Sequence, residues 1–279
     1  MSKKQSFINQ AIPLALTAVT CLVLIGVLWL EVHFLNHFSD EKILLHVRVQ
    51  DVLIGLTVYL KTAIDFAIFI GRLMDQNRGL KGRIGIEIGT ALGNALGTLA
   101  ILAVWTFFKE VDWLLAIMVF IAGLVLFRLA EDGLQHVDHE STRYPAVFRH
   151  FVKNFKRVII RTNKITHPFL SKIVPSHSLQ PKTSTSFLGL LGLSFTVPFI
   201  LGLDDFAGYV PLFSIVNVFG FAIGVFLGHM ALNIFLYISP KRTIKAVKNP
   251  IISLMGSVAF LLLGLWGIYE AIRLIFGLH

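Results

Sequence analysis

The feature that most constrains the fold is a series of long apolar blocks separated by short polar connections. Several blocks reach the roughly 20 residues that a helix needs to cross a bilayer. Charged residues make up only 15% of the 279 residues, and the mean hydropathy is +0.75. A soluble domain carries roughly 25% charged residues. The pattern therefore predicts a polytopic, all-α membrane protein.

Hydropathy predicts seven transmembrane helices, which we call spans 1 to 7. Their ranges are 11–36, 52–74, 84–107, 112–135, 187–210, 214–239 and 250–276. Span 1 is too long for the apolar region of a signal peptide and precedes no small-residue cleavage site, so we expect it to be retained. The single cysteine, Cys21, lies within it, which excludes an intrachain disulfide.

Basic residues predict the orientation of the chain. They cluster before span 1, after span 2, between spans 4 and 5, and between spans 6 and 7. Segment 136–185 alone carries nine Lys and Arg against two acids. With a cytoplasmic N-terminus and an outside C-terminus, all four clusters face the cytoplasm, as the positive-inside rule requires. Topology thus accounts for the net charge of +9 without a nucleic-acid partner.

Segment 136–186 is the one sizeable connection between spans, and we expect it to be a cytoplasmic linker. Its residues 146–161 alternate apolar and basic side chains at helical spacing, which predicts an amphipathic helix lying on anionic lipids. A docking site for a cytosolic partner is the alternative. His136 and His139 have metal-ligand spacing, but a solvated helix end would show the same pattern.

The chain also repeats itself. Motif 64–67 (Ile-Asp-Phe-Ala) in span 2 corresponds to motif 204–207 (Asp-Asp-Phe-Ala) in span 5, and spans 3 and 6 each carry three glycines spaced four apart. Spans 4 and 7 each carry a Glu three residues from an Arg, a spacing typical of a structural ion pair. The residues of these elements are Gly89, Gly93, Gly97, Gly220, Gly224, Gly228, Arg128, Glu131, Glu270 and Arg273. We expect the glycine rows to bring spans 3 and 6 close together.

The predicted topology makes the two halves inverted, because span 2 runs inward and span 5 runs outward. Inverted three-helix repeats are typical of secondary transporters. The predicted division is an extra N-terminal helix in 1–40, a first repeat in 41–135, the linker in 136–186 and a second repeat in 187–279.

Three intramembrane aspartates are the main candidates for a substrate site. Asp65 lies near the middle of span 2, and Asp204 and Asp205 lie in the last third of span 5. A charged residue at such a depth costs roughly 2.5–3.5 kcal/mol and usually meets a cation or a proton. Pro198 and Gly202 predict that span 5 is kinked or unwound, whereas span 2 lacks such a signal before Asp65. Carboxylate oxygens from two helices suit a divalent cation.

Other polar residues could complete that site or relay protons. Lys61 precedes Asp65 by four residues, so the two would share a helical face and form an ion pair, which is either structural or broken by the cation. Polar stripes on spans 3 and 6 supply Glu87, Asn94, His229 and Asn233, with Thr90 and Thr98 on the first stripe. Glu87 lies near the cytoplasmic end, where it would reach interfacial water or line the way in.

Segment 202–211 resembles a signature of the cadmium-resistance transporter (CadD-type) family, roughly Gly-x-Asp-Asn, three residues, Tyr, a β-branched residue and Pro. Segment 62–65 is similar to the Thr-x-Ile-Asp element of that family. Weaker similarity extends to TerC-like and LysE-type exporters, which share an inverted three-plus-three helix plan. The resemblance covers spans 2–7.

This resemblance implies export of a divalent metal across a bacterial plasma membrane, with Asp65 and Asp204 at the site. Asp205 stands where the family has Asn, and Phe66 stands where a second Asp or Asn is usual. These departures leave cadmium, manganese, calcium and magnesium open as substrates. No cofactor is expected besides the transported cation, and a homo-oligomer is left open.

Two other functions compete with metal export. A LysE-type exporter of amino acids or small organic cations would use the same helices and a pocket with both signs of charge, such as Lys61 with Asp65. An intramembrane aspartyl protease would use Asp65 and Asp205 as a dyad. That family's second motif glycine and its Pro-Ala-Leu element are missing from the sequence. A transporter, and not an enzyme, is therefore the prediction.

Overall fold

The computed structural model describes most of the chain. Most of the linker, 136–186, lies outside the described residues. It covers residues 3–135, 150, 152–157, 159–161, 163–164, 186–213 and 215–277, with the backbone alone for residues 3–10, 13, 14, 65, 135 and 200–208. Within these residues the secondary structure is helical and contains no strand. The prediction of an all-α chain is confirmed.

The helices follow the predicted spans closely. They are α1 Lys3–Phe38, α2 Val49–Thr62, α3 Ile64–Gln76, α4 Leu80–Phe108, α5 Asp112–Gln135, α6 (the described helical residues between 150 and 164), α7 Phe187–Tyr209, α8 Val218–Ile238, α9 Pro240–Val247 and α10 Pro250–Phe276. A 3-10 turn, Val210–Leu212, follows α7.

Five of the described helices are long and apolar enough to cross a membrane, and a sixth span results if α2 and α3 are taken together. α1 and α10 both expose large apolar side chains along their length, as lipid-facing helices do. Examples are Leu22, Leu30, Phe34, Leu262, Leu265 and Ile275. These helices indicate an integral membrane protein, and the count of seven spans stays a prediction.

Local sequence signals explain where the later helices begin and end. The side chain of Asn217 accepts a hydrogen bond from the backbone N–H three residues on (3.1 Å) and caps α8. Asn249 caps α10 in the same way, and Pro250 occupies its first turn, where no N–H is needed. Gly277 ends α10 with a φ of 60°, a conformation that favours glycine.

The chain forms two compact units. Unit 1 comprises Met1–Glu110, Leu179–Phe206 and Ile215–Lys245, and unit 2 comprises Val111–Ser178, Ala207–Ser214 and Ala246–His279. Each unit therefore takes helices from both halves of the predicted repeat.

Span 2 is broken at Ala63, between α2 and α3. The segments Val49–Thr62 and Phe66–Gln76 are bent by 68° relative to each other. The hydroxyl of Thr62 donates to the carbonyl of Tyr59 (3.1 Å) and closes the last turn of α2. α7, in contrast, is one helix that includes Pro198. Of the two alternatives predicted for span 5, unwinding is wrong and a kink stays a prediction. The observed break lies in the half whose sequence gives no Pro or Gly signal for it.

The glycine rows pack against different helices from those we expected. On α8, a Cβ added to Gly224 would overlap the carbonyl oxygen of Val52 on α2. On α4, a Cβ added to Gly89 or Gly93 would overlap backbone or side-chain atoms of α7 at Ser194 and Phe195. The rows thus let α2 approach α8 and α7 approach α4. Spans 3 and 6 do contact each other, but through polar residues such as Thr90 and Asn233, so the prediction that the glycine rows bring them together is wrong.

In unit 2, α5 and α10 form a long contact with a reciprocal glycine crossing. A Cβ on Gly123 would lie 3.0 Å from the carbonyl oxygen of Gly264, and a Cβ on Gly264 would lie 2.9 Å from that of Gly123. The predicted Glu270–Arg273 ion pair is present on α10 at 3.5 Å.

α6 is attached to α5 within unit 2. Val152 and Ile159 are buried, and Asn163 donates to the carbonyl of Phe127 (2.9 Å) and to the carboxylate of Glu131 (2.6 Å). The apolar face of this helix was predicted to lie on lipid, but the described apolar residues at these two positions are covered by protein. His136, His139 and most of the linker lie outside the described residues.

Candidate functional site

The three predicted aspartates lie at informative places on the backbone. Asp65 is in the first turn of α3, immediately after the break at Ala63, and Asp204 and Asp205 are in the last two turns of α7. Their side chains lie outside the description, so cation coordination by them stays a prediction. Among the described side chains, no group of three or more His, Cys, Asp or Glu could hold a metal ion.

The break changes the interpretation of Lys61. This residue is in the last turn of α2, whereas Asp65 belongs to α3. The expectation that both share one helical face assumed an unbroken helix. Because the chain bends by 68° between α2 and α3, helical spacing alone no longer predicts this contact, and the Lys61–Asp65 ion pair stays a prediction.

The described residues of unit 1 contain a buried polar cluster that joins four helices. We define the polar cluster as Thr17 on α1, Tyr59 on α2, Glu87 and Thr90 on α4, and His229 and Asn233 on α8. All of its side chains except that of Tyr59 are polar or charged residues in an otherwise apolar interior. Buried polar groups of this kind are stable only when they are hydrogen-bonded to one another.

Glu87 is the ionisable carboxyl of the polar cluster. It is 1% exposed, and its Oε1 accepts a hydrogen bond from the hydroxyl of Thr17 at 2.5 Å. The amide of Asn233 lies beside the same carboxyl group. Its Oε2 is buried and has no hydrogen-bond partner among the described residues. The expectation that Glu87 reaches interfacial water is therefore wrong for this conformation.

His229 is fully buried, and both of its ring nitrogens are occupied. Nδ1 lies 2.7 Å from the hydroxyl of Tyr59, and Nε2 lies 3.0 Å from the amide nitrogen of Asn233. A histidine with two such partners has no nitrogen free for a metal ion. The ring also packs on Phe66, at 5.3 Å between centroids. Tyr59 and Phe66 stand on either side of the break, so His229 marks where α8 contacts the broken span.

The polar residues of the predicted stripe on α4 are buried. The hydroxyl of Thr90 donates to the carbonyl of Glu87 (2.9 Å) and accepts from the amide of Asn233 (3.2 Å), which ties α4 to α8. Thr98 donates to the carbonyl of Asn94 (2.9 Å). The amide nitrogen of Asn94 is buried without a partner in the described part of the chain. Asn94, like Glu87, therefore has unused hydrogen-bonding capacity among the described residues.

Two members of the polar cluster were missed by sequence reasoning. Thr17 lies in a helix that is apolar on all sides, and a threonine there usually bonds its own backbone. Tyr59 is near Lys61 and Asp65 in sequence, and those two charged residues were selected as candidates and not the tyrosine. A search for polar residues on the buried face of α1 would have found Thr17, because this face repeats at helical spacing through Cys21, Leu24, Leu28 and Val32.

Cationic side chains lie at the connection between α3 and α4, at the start of α4 and at the start of α9. The guanidinium of Arg83 lies over the ring of Tyr237 at 4.6 Å and donates to its carbonyl oxygen (3.4 Å). Asp75 binds Arg78 (2.7 Å) and Lys241 (3.8 Å). The region of unit 1 adjoining Glu87 along α4 is therefore rich in positive charge.

The resemblance of segment 202–211 to the cadmium-resistance transporter family stays a prediction after comparison with known proteins. No family model matches the chain, and neither a curated protein nor a solved structure matches it.

Proposed function

We propose that the chain is a secondary transporter that exports divalent metal cations such as Cd²⁺, Mn²⁺ or Ca²⁺. In this proposal Asp65 and Asp204 bind the cation, Asp205 assists them, and two inverted repeats alternate around the site. The chain is not proposed to be an enzyme.

One observation carries the proposal: span 2 is interrupted at Ala63, two residues before Asp65. Helices interrupted within the membrane free backbone groups that can coordinate ions, and they mark the substrate sites of many transporters. An intramembrane aspartate beside such a break is a candidate cation ligand, and in this conformation the carbonyls of Tyr59 and Ala63 each accept a backbone hydrogen bond. Carboxylate and carbonyl oxygens are the ligands that hard divalent cations prefer.

The packing of the helices supports the inverted repeat. In the predicted alignment α2 corresponds to α7, and α4 corresponds to α8. The observed glycine contacts join α2 to α8 and α7 to α4, so each half supplies the partner of the other. α5 and α10 correspond to each other in the predicted alignment, and their crossing at Gly123 and Gly264 is likewise a contact between the two halves. A two-fold relation between the halves would generate these contacts in matched pairs.

The proposed cycle uses the two arrangements that such halves can adopt. The cation enters from the cytoplasm and binds the carboxylates of Asp65 and Asp204, and the halves then exchange conformations and open the site to the outside. Protonation of the carboxylates favours release, because a neutral carboxyl attracts a cation far less than a carboxylate does.

The proposed setting is a bacterial plasma membrane with the N-terminus in the cytoplasm. The exposed basic residues of α6 are proposed to contact anionic lipid headgroups by charge alone, since Val152 and Ile159 already pack within the protein. These residues include Lys153, Arg157, Arg161 and Lys164. A homo-oligomer is compatible with the proposal.

Flux measurements in proteoliposomes test this function. We would compare the wild type with Asp204→Asn over cadmium, manganese, calcium and magnesium, with and without a pH gradient. Asp112→Asn is the matched control, because Asp112 is an exposed carboxylate in the first turn of α5. The expected result is flux of at least one cation that is lost in Asp204→Asn and retained in Asp112→Asn.

Other outcomes would replace the proposal. Folded wild-type protein that moves none of the four cations would refute metal export. Amino acids and small organic cations would then be tested as substrates, and peptide cleavage last. Flux that survives in Asp204→Asn would refute the assignment of the site.

A further inference from the structure

We infer that Glu87 carries a proton in this conformation, and that this proton is the ion whose movement drives cation export. The first half of the inference stands on the geometry of the polar cluster. The second half, the coupling, rests on the proposed function.

The surroundings of Glu87 are unsuitable for a carboxylate ion. An ionised group taken into an apolar interior costs several kcal/mol unless a cation or several hydrogen bonds compensate it. Glu87 has one hydroxyl donor at Oε1, the amide of Asn233 beside it, and a buried Oε2 without a partner. No ion pair of Glu87 occurs among the described residues. A neutral carboxyl group fits this environment, because it needs no counter-charge.

Among the described residues, the helices packed around Glu87 bring no charged group that forms an ion pair with it. From α1 come Thr17 and the thiol of Cys21, and from α8 come Asn233 and His229, whose two ring nitrogens are occupied. The nearest cation on α4 itself is Arg83, one turn earlier. Its guanidinium lies over the ring of Tyr237 and donates from one terminal nitrogen to the Tyr237 carbonyl, its Nε has no hydrogen-bond partner among the described residues, and it forms no ion pair with Glu87. The neighbouring stretch of α7 contributes a hydroxyl, Ser194, which donates to backbone carbonyl oxygens (2.6 Å to Leu190).

On α3, the described charged groups are directed elsewhere. Asp75 is bound by Arg78 and Lys241, and Arg72 is exposed. Asp65, also on α3, belongs to the proposed cation site. Since no described cation forms an ion pair with Glu87, the carboxyl group is neutralised by a proton.

A proton held in this way couples to the conformation of the protein. Loss of the proton from Oε2 breaks one O–H bond and leaves a buried carboxylate, which disfavours the present packing of α1, α4 and α8. An alternative arrangement that admits water to Glu87 would stabilise the carboxylate. A group whose proton affinity differs between two conformations links proton binding to their equilibrium. The proton is taken from water on one side and returned to water on the other, with no other bond changed.

This inference gives α1 a part in the cycle. α1 lies outside the predicted repeat, yet it packs on α4 and α8 and supplies the hydroxyl that holds Glu87. His229 and Asn233 connect the same carboxyl to Tyr59, one turn before the break at Ala63. A continuous set of contacts therefore connects Glu87 to the broken span, so proton binding at Glu87 can change the conformation there.

Infrared difference spectroscopy tests the protonation directly. The wild type minus Glu87→Gln at neutral pH should show the C=O stretch of a protonated carboxylic acid, shifted in D₂O. Glutamine is the uncharged isostere, so this variant should fold. Asp112→Asn should leave the band in place. Thr17→Val should raise the frequency of the band, because the C=O at Oε1 loses its donor. Absence of a protonated-acid band from folded wild type would overturn the inference.

Flux with and without a pH gradient tests the coupling. We expect Glu87→Gln to lose the acceleration by the gradient while retaining cation exchange at zero gradient. Acceleration that persists in Glu87→Gln would overturn the coupling half of the inference. If the wild type moves no cation, the coupling falls together with the proposed function, and the infrared result still decides whether Glu87 is protonated.

Discussion

In both units, helices approach each other closely at glycines, which have no side chain to separate them. The two units differ in the residues that lie beside these glycine contacts. In unit 1, the rows on α4 and α8 admit α7 and α2, and the polar cluster lies between these helices and α1. In unit 2, α5 and α10 cross at Gly123 and Gly264 amid apolar side chains such as Phe127 and Ile268. The glycines therefore identify close packing in both units. The polar residues beside them distinguish a candidate site from a purely structural contact.

This difference predicts which substitutions affect stability alone and which also affect transport. The most disruptive should be Gly224→Leu, because its Cβ would overlap the backbone carbonyl of Val52 and force α2 and α8 apart. We expect a loss of about 3 kcal/mol or more, seen as loss of folded, monodisperse protein in detergent. Gly192→Leu is the control, since nothing lies within 4 Å of its Cβ. Equal behaviour of the two variants would contradict the contact.

Within the polar cluster, His229→Ala should be the next most harmful change. It leaves a cavity and deprives both Tyr59 and Asn233 of a partner. A loss of about 3 kcal/mol is expected, measured as a lower thermal unfolding midpoint, together with reduced cation flux. His33→Ala, at an exposed position of α1, should have little effect. Unchanged stability of His229→Ala would show that the polar cluster does not hold these helices together.

In unit 2, Gly264→Ala should lower stability and leave transport intact. Its Cβ would lie 2.9 Å from the carbonyl oxygen of Gly123 and from the ring of Phe127, and the ring can shift to relieve part of the crowding. We expect a cost of about 1–2 kcal/mol and normal flux per folded molecule. A selective loss of flux in this variant would break the distinction between the two units.

The smallest effect on stability is expected for Asn94→Leu. The amide nitrogen of Asn94 is buried without a partner in the described part of the chain, so an apolar side chain of similar size removes no hydrogen bond made by that atom. Stability should change by less than about 0.5 kcal/mol. Flux should fall if Asn94 contributes to the substrate pathway, as its place on the polar stripe predicts. Unchanged flux would assign Asn94 to packing alone.

Much of the fold was predictable because long apolar runs leave few alternatives to membrane-crossing helices. The ends of α4, α5 and α10 lie within a few residues of the predicted spans. The partners of the glycine rows were not predictable in the same way. A row such as Gly220, Gly224 and Gly228 shows that a helix is approached closely, but it does not show by which helix.

The site was predicted less completely than the fold. Glu87, His229 and Asn233 were identified by their polarity in apolar helices, and the structure buries all three, although Glu87 was expected at the water interface or the entry. Thr17 was missed because a single hydroxyl in an apolar helix is common, and only tertiary packing reveals its carboxyl partner. The break at Ala63 was missed because alanine favours helix, so the cause of the bend lies in packing and not in local propensity.

Direct binding of a divalent cation tests the central claim, which is that carboxylates from both halves share one cation. Isothermal titration calorimetry of the purified protein with manganese, cadmium, calcium and magnesium would compare the wild type with Asp65→Asn, Asp204→Asn and Asp112→Asn. We predict saturable binding of at least one cation that is lost in Asp65→Asn and in Asp204→Asn and unchanged in Asp112→Asn. Binding that survives both site substitutions, or that is absent from the folded wild type, would contradict the claim.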